Sequence, residues 1–169
     1  CEILKYASTV VYFAFGECKL IHINLPKIGE EEVQAVVKVL RSGMLTSGLG
    51  MGPMVTQFES NFAKFAQAKH AVAVNTGTAA LHSAVVAVGV KQGDEVILPS
   101  FTFVATAEAV VLAGAKPVFA DIDAKTFNLA PDAVEKSITE KTKAILPVDL
   151  YGYSADMKPL KEIASKHNL

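Results

Sequence analysis

The sequence predicts an α/β protein: three layers, helix on sheet on helix, around a mostly parallel sheet. Three observations predict it. Short apolar or β-branched runs recur at residues 71–74, 95–98, 117–120 and 143–148. Helix-periodic segments of seven to twelve residues separate or follow them, which is the alternation that puts parallel strands side by side with crossover helices on both faces. Apart from Glu95 and Lys143 at their starts, the strand-like runs are continuously apolar rather than alternating, as strands covered on two sides are.

Each element has its own justification. Residues 30–41 (EEEVQAVVKVLR) place Val33, Val36, Val37 and Leu40 at helical spacing, with acids in the first turn and Gly43 just beyond the end. Residues 42–53 (SGMLTSGLGMGP) carry Gly48, Gly50 and Gly52. A dinucleotide-binding loop must follow a strand and open a helix, and this one follows a helix, so it reads as a connector or a substrate-covering loop. Val55, Phe58, Phe62 and Phe65 then mark a second helix whose aromatic stripe is expected in the core.

Residues 71–82 (AVAVNTGTAALH) read as buried strand, tight turn and helix start. Thr76 or Thr78 can cap that helix, and Gly77 lets a ligand approach the backbone without a Cβ in the way. The first amides of such a helix have no intrahelical acceptor and sit at the positive end of its dipole, so with two threonine hydroxyls they suit an anion such as phosphate. The plainer reading is an ordinary capped turn. Beyond it, residues 95–98 are strand-like, 103–112 helical and closed by Gly114, and 117–120 a strand. Residues 132–138 are a helix with Pro131 in its first turn. A strand over 143–148 and a helix over 156–167, capped by Asp156, complete the chain.

In open parallel sheets ligands lie beyond the carboxyl ends of the strands. Three stretches fall there: residues 75–78, an anion cup; 99–103, two aromatics beside hydroxyls; and 149–152, a carboxylate with a phenol. A phosphorylated aromatic cofactor answers the first two together.

Composition narrows the classes. With 16 basic and 17 acidic residues among 169, nothing electrostatic favours nucleic acid or an anionic membrane. Cys1 and Cys18 both precede residue 21, so the main body has neither a disulfide framework nor a zinc site, and no metal is expected. The apolar stretch 6–15 is too short to span a bilayer and no convincing export signal follows it. Residues 1–20 are expected to lie outside the folded domain, as a tag or read-through segment; the alternative is an N-terminal edge strand.

The run GDEVILPSFTFVATAEAVVLAGAKPVFADID, with NTGTAAL before it and KTKAILPVDLYG after it, closely resembles the sugar aminotransferases of the DegT/DnrJ/EryC1/StrS family. The resemblance covers about residues 21–169. It implies the N-terminal part of the large domain of a pyridoxal 5'-phosphate (PLP) enzyme of aspartate-aminotransferase fold type I. It implies that Gly77, Thr78 and the amide of Ala79 hold the cofactor phosphate. Phe103 takes the position that stacks on the pyridine ring; the other reading of Phe103 is a core residue on its helix. Where many members have His before a Leu-Tyr-Gly, this chain has Asp149, whose role stays open, while Tyr151 and Gly152 match.

The aspartate that pairs with the pyridinium nitrogen and the Schiff-base lysine of the family fall beyond Leu169. No catalytic residue is therefore assigned, and Lys69, Lys91, Lys116, Lys143 and Lys166 read as surface charges. The resemblance implies transfer of an amino group, commonly from glutamate, to a keto group of a nucleotide-activated sugar, by a cytoplasmic homodimer. These 169 residues are not expected to turn over alone. A sugar dehydratase of the same family and a non-catalytic module for a phosphate-bearing ligand remain the alternatives.

Overall fold

The computed structural model describes residues 25–46 and 52–169, so the expectation for residues 1–20 and most of the glycine-rich connector lie outside the described residues. The chain divides into two units, residues 1–71 and 72–169.

Among its described residues the first unit contains two helices, α1 (Glu30–Ser42) and α2 (Pro53–Phe65). Both form where the periodicity puts them. Glu32 Oε2 accepts the Gly29 amide at 2.7 Å, three acids occupy the first turn of α1, and Gly43 closes it at φ 68°. That φ is left-handed, where glycine carries no steric cost. The Gly29 hydrogen bond also holds the Glu32 carboxyl below its usual range. Pro53 opens α2, where its missing N–H costs nothing.

The expectation that Phe58, Phe62 and Phe65 lie in a core is overturned: all three are exposed, and neither helix has a buried residue. The rings stack on one another instead, with centroids 5.7 Å and 6.4 Å apart. A stripe at helical spacing specifies a face, and burial additionally needs a surface to cover it.

The second unit is the layered body. Its helices are α3 (Gly77–Ala87), α4 (Ala105–Leu112), α5 (Pro131–Ser137) and α6 (Met157–His167), and its strands are β1 (Glu95–Pro99), β2 (Lys116–Ala120) and β3 (Thr142–Ile145). The sheet is parallel throughout, in the order β2-β1-β3. All five residues of β1 are buried. Val96 and Leu98 point to one side, into a cluster with Val85 of α3 and Val110 of α4. Ile97 points to the other, into a cluster with Val134 of α5 and Leu160 of α6. The pleat of one strand thus divides two cores, and the three expected layers are present.

Three boundaries differ from the sequence reading. Residues 71–74 form no strand of the sheet, whose edges among the described residues are β2 and β3; β-branched residues acquire strand structure only from a neighbour in register. β3 ends at Ile145 rather than 148, because after Leu146, whose amide still reaches Ile97 O at 2.8 Å, Pro147 has no N–H to donate. α4 starts at Ala105, so Phe103 precedes it. No helix among the described residues is long and apolar enough to cross a membrane.

Candidate functional site

Parallel strands bring their carboxyl ends to one edge. The segments leaving β1, β2 and β3 begin at residues 100, 121 and 146, and all start there. α3 reaches the same level from another direction. It leads through residues 88–94 into the start of β1 and packs on that strand's face, so it runs back along it. Eleven helical residues and five strand residues both measure about 16 Å, which sets the N-terminus of α3 level with Pro99.

The first turn of α3 is organised by Thr76. Its backbone is extended, its hydroxyl accepts the Ala79 amide at 3.0 Å, and its carbonyl accepts the Ala80 amide at 3.1 Å. Of the two threonines the sequence offered as caps, Thr76 is the one. The amides of Gly77 and Thr78 and the Thr78 hydroxyl make no hydrogen bond among the described residues. The Ala79 amide, by contrast, is committed to the cap.

Gly77 has no conformational need to be glycine. Its φ lies outside the left-handed region, and an added Cβ would have no atom within 4 Å. Neither backbone strain nor packing among the described residues accounts for it. What a missing Cβ provides here is room beside two open amides at the positive end of a helix, which fits a phosphate group.

Phe103 lies between β1 and α4. Its carbonyl accepts the Thr106 amide at 3.1 Å, and its side chain is 77% exposed. The reading of Phe103 as a core residue on its helix is thereby overturned, and its ring is open to a flat partner. Next to it the hydroxyls of Thr102 and Thr106 are 3.1 Å apart, Thr106 being buried.

Asp149 serves the local structure. Its Oδ1 accepts the Ala155 amide at 2.8 Å, closing the loop that contains Tyr151. Sequence reasoning passed over Asn128, which clasps the same loop. Asn128 is buried, donates through Nδ2 to Tyr153 O at 2.9 Å and accepts the Leu150 amide at 3.1 Å. Its partners lie 22 and 25 residues away, so no local pattern announces it. Among the lysines read as surface charges, Lys116 pairs with Glu95 at 3.0 Å and Lys166 pairs with Glu135. Glu95, at the opposite end of β1, also accepts the Thr139 hydroxyl at 2.6 Å; that bond and the one from Lys116 hold its carboxyl below the usual range.

The whole is a three-layer parallel α/β body with an open helix N-terminus and a bare aromatic at its carboxyl edge. The model of the DegT/DnrJ/EryC1/StrS aminotransferase family matches residues 26–169, and the chain belongs to that family. It is 49% identical over 146 residues to the spore coat polysaccharide biosynthesis protein SpsC of Bacillus subtilis, covering 86% of this chain and 36% of that protein. It is 44% identical over 149 residues to GDP-perosamine synthase of Caulobacter vibrioides, covering 88% and 39%.

Two solved structures agree in fold. An aminotransferase from Psychrobacter cryohalolentis matches with a TM-score of 0.81 at 40% identity, covering 85% of this chain and 36% of that one. The ntda protein of Bacillus subtilis, solved with its cofactor PMP (pyridoxamine phosphate) bound, matches at 0.78 and 38% identity, covering 84% and 33%. The architecture is that of the PLP-dependent aminotransferases. The chain spans little more than a third of the length of these curated relatives.

Proposed function

We propose that residues 21–169 are the N-terminal part of the large domain of a PLP-dependent sugar aminotransferase. The observation that carries the proposal is the pair of open amides at Gly77 and Thr78, beside a glycine that the fold itself does not require. In this reading the N-terminus of α3 takes the cofactor phosphate on the Gly77 and Thr78 amides and the Thr78 hydroxyl. Ala79 adds its amide once the Thr76 hydroxyl turns away. Phe103 lies against the pyridine ring.

The bound cofactor supplies an electron sink for the bond changes at the amine-bearing carbon. The work of this chain's residues is binding and orientation. Each charge-assisted hydrogen bond to phosphate contributes about 1.5–3 kcal/mol, and the exposed ring of Phe103 fixes the plane in which the cofactor lies. Proton transfer is assigned to no described residue.

The substrate we infer is a keto group on a nucleotide-activated sugar, with glutamate as amino donor. Its support is the family membership and the name of the GDP-perosamine synthase relative. We extend the reading to a cytoplasmic location, supported by the solubility of the cofactor and of charged nucleotide sugars, and to a homodimer for the complete protein, supported by the resemblance to fold type I enzymes, whose sites borrow residues across the subunit interface.

The test uses pyridoxamine phosphate, which lacks the aldehyde that reacts with surface lysines. Titrated into isotope-labelled chain, it is expected to shift the Gly77 and Thr78 amide resonances first and furthest. Shifts spread over the surface lysines with none at residues 77 and 78 would sink the proposal.

A further inference from the structure

The carboxyl edge carries a feature that phosphate and pyridine binding leave unused. Phe101 follows β1, Phe127 follows β2 and Tyr151 follows β3, and their rings meet. The centroid of Phe101 stands 5.9 Å from that of Phe127 and 6.5 Å, edge-on, from that of Tyr151. All three side chains stay exposed, Tyr151 at 87%, so the contact is not a core.

Two of the three hold left-handed backbone, Phe127 at φ 61° and Tyr151 at φ 52°. Bulky L residues rarely adopt it, and such a conformation persists only where the surroundings over-determine it. Those surroundings are identifiable. Buried Asn128, next to Phe127, binds the backbone on both sides of Tyr151. Asp123 Oδ1 gathers the amides of Lys125 and Thr126 and the Thr126 hydroxyl, which shapes the Phe127 loop. Asp149 fixes the Tyr151 loop through Ala155. Three polar side chains thus hold exposed rings in place.

The loops around the rings, residues 99–104, 121–128 and 146–155, carry Asp121, Asp123 and Asp149 against a single cation, Lys125. That balance disfavours a phosphate on the rings. It suits a neutral polyhydroxylated ring, whose C–H face lies on aromatic carbon while its hydroxyls donate to carboxylate oxygens. The geometry points to a hexose subsite: Phe101, Phe127 and Tyr151 form the platform for the pyranose ring of the substrate. This rests on the reading above that the substrate is a nucleotide-linked sugar, and adds where the sugar lies.

The test is saturation-transfer NMR on the 169-residue chain with UDP-glucose and GDP-mannose, irradiating the Phe and Tyr ring protons. The pyranose C–H protons are expected to receive several-fold more saturation than the ribose and base protons. Tyr151→Gly suits the left-handed backbone and removes only the ring, so it should keep the loop and weaken pyranose binding about tenfold. Stronger transfer to base or ribose, no transfer to the pyranose, or an unchanged Tyr151→Gly variant would each overturn the platform. Pyridoxamine phosphate added to the same sample separates the two readings. Pyranose contact without shifts at Gly77 and Thr78 keeps the platform and removes the cofactor reading; shifts without pyranose contact do the reverse.

Discussion

Helices α1 and α4 are written in different alphabets. α1 carries a one-sided apolar stripe under a charged face and buries nothing; α4 is apolar on almost every side and buries Ala105, Thr106, Ala109 and Val110. The same contrast separates the described residues of the first unit, 25–46 and 52–71, from residues 72–169. In the first unit the pattern produces helices, and in the second it also produces a core. Periodicity tells which face of an element seeks cover, while only a continuous apolar run, such as Val96 to Pro99 of β1, tells that the element is covered on both sides.

A pair of truncations should show the contrast at its largest. Ile97 has no exposure and Val36 is well exposed. Ile97→Ala is expected to cost about 2–5 kcal/mol, and Val36→Ala within about 0.5 kcal/mol, by urea denaturation followed by circular dichroism. A Val36→Ala cost as large as that of Ile97→Ala would mean that the face of α1 is covered after all.

Asn128→Ala comes next. It leaves the Leu150 amide and the Tyr153 carbonyl without their partner, at about 1–3 kcal/mol for each group that stays dry. The Tyr151 resonances should broaden or move in the same variant. A stable protein with unmoved Tyr151 signals would show that the clasp is dispensable.

The two threonines of the α3 turn separate cap from ligand site. Thr76→Ala should cost about 1 kcal/mol, the usual worth of an N-cap, whereas Thr78→Ala should leave the melting temperature nearly unchanged and weaken phosphate binding. Equal losses in stability would show that Thr78 shares the capping.

The smallest effect is a pH slope. The Thr139 hydroxyl and then Lys116 depress the folded-state value of Glu95, and Glu32, Asp123 and Glu135 shift the same way. A depressed folded value stabilises above the unfolded value, about 4.3 for Glu, and that stability is lost as pH falls through the folded value. Stability should therefore decline on acidification below that range. Glu95→Gln should flatten the decline without reversing it; an unchanged slope would remove any part for Glu95.

Much of this was legible in the sequence. The helix ends at Gly43, Pro131 and Asp156 are written in capping chemistry, and the structure keeps them. The cap of α3 was legible too, because Thr76 acts through local backbone. What stayed hidden depends on distant partners. Residues 71–74 read as a strand but lie outside the sheet, and the α2 phenylalanines read as core but are exposed. Asn128 carries no signal of its own in the sequence, because the loop it holds lies more than twenty positions away.

If the N-terminus of α3 is a phosphate site, the chain must tell pyridoxamine phosphate from pyridoxamine, and titration calorimetry on the chain and on its Gly77→Val variant reads that difference. Pyridoxamine is expected to bind at least about ten- to hundredfold more weakly, the worth of a single charge-assisted hydrogen bond. Gly77→Val should remove most of the difference while leaving the fold intact. Equal affinities for the two compounds, or a phosphate preference untouched in Gly77→Val, would mean that the phosphate does not sit on this helix.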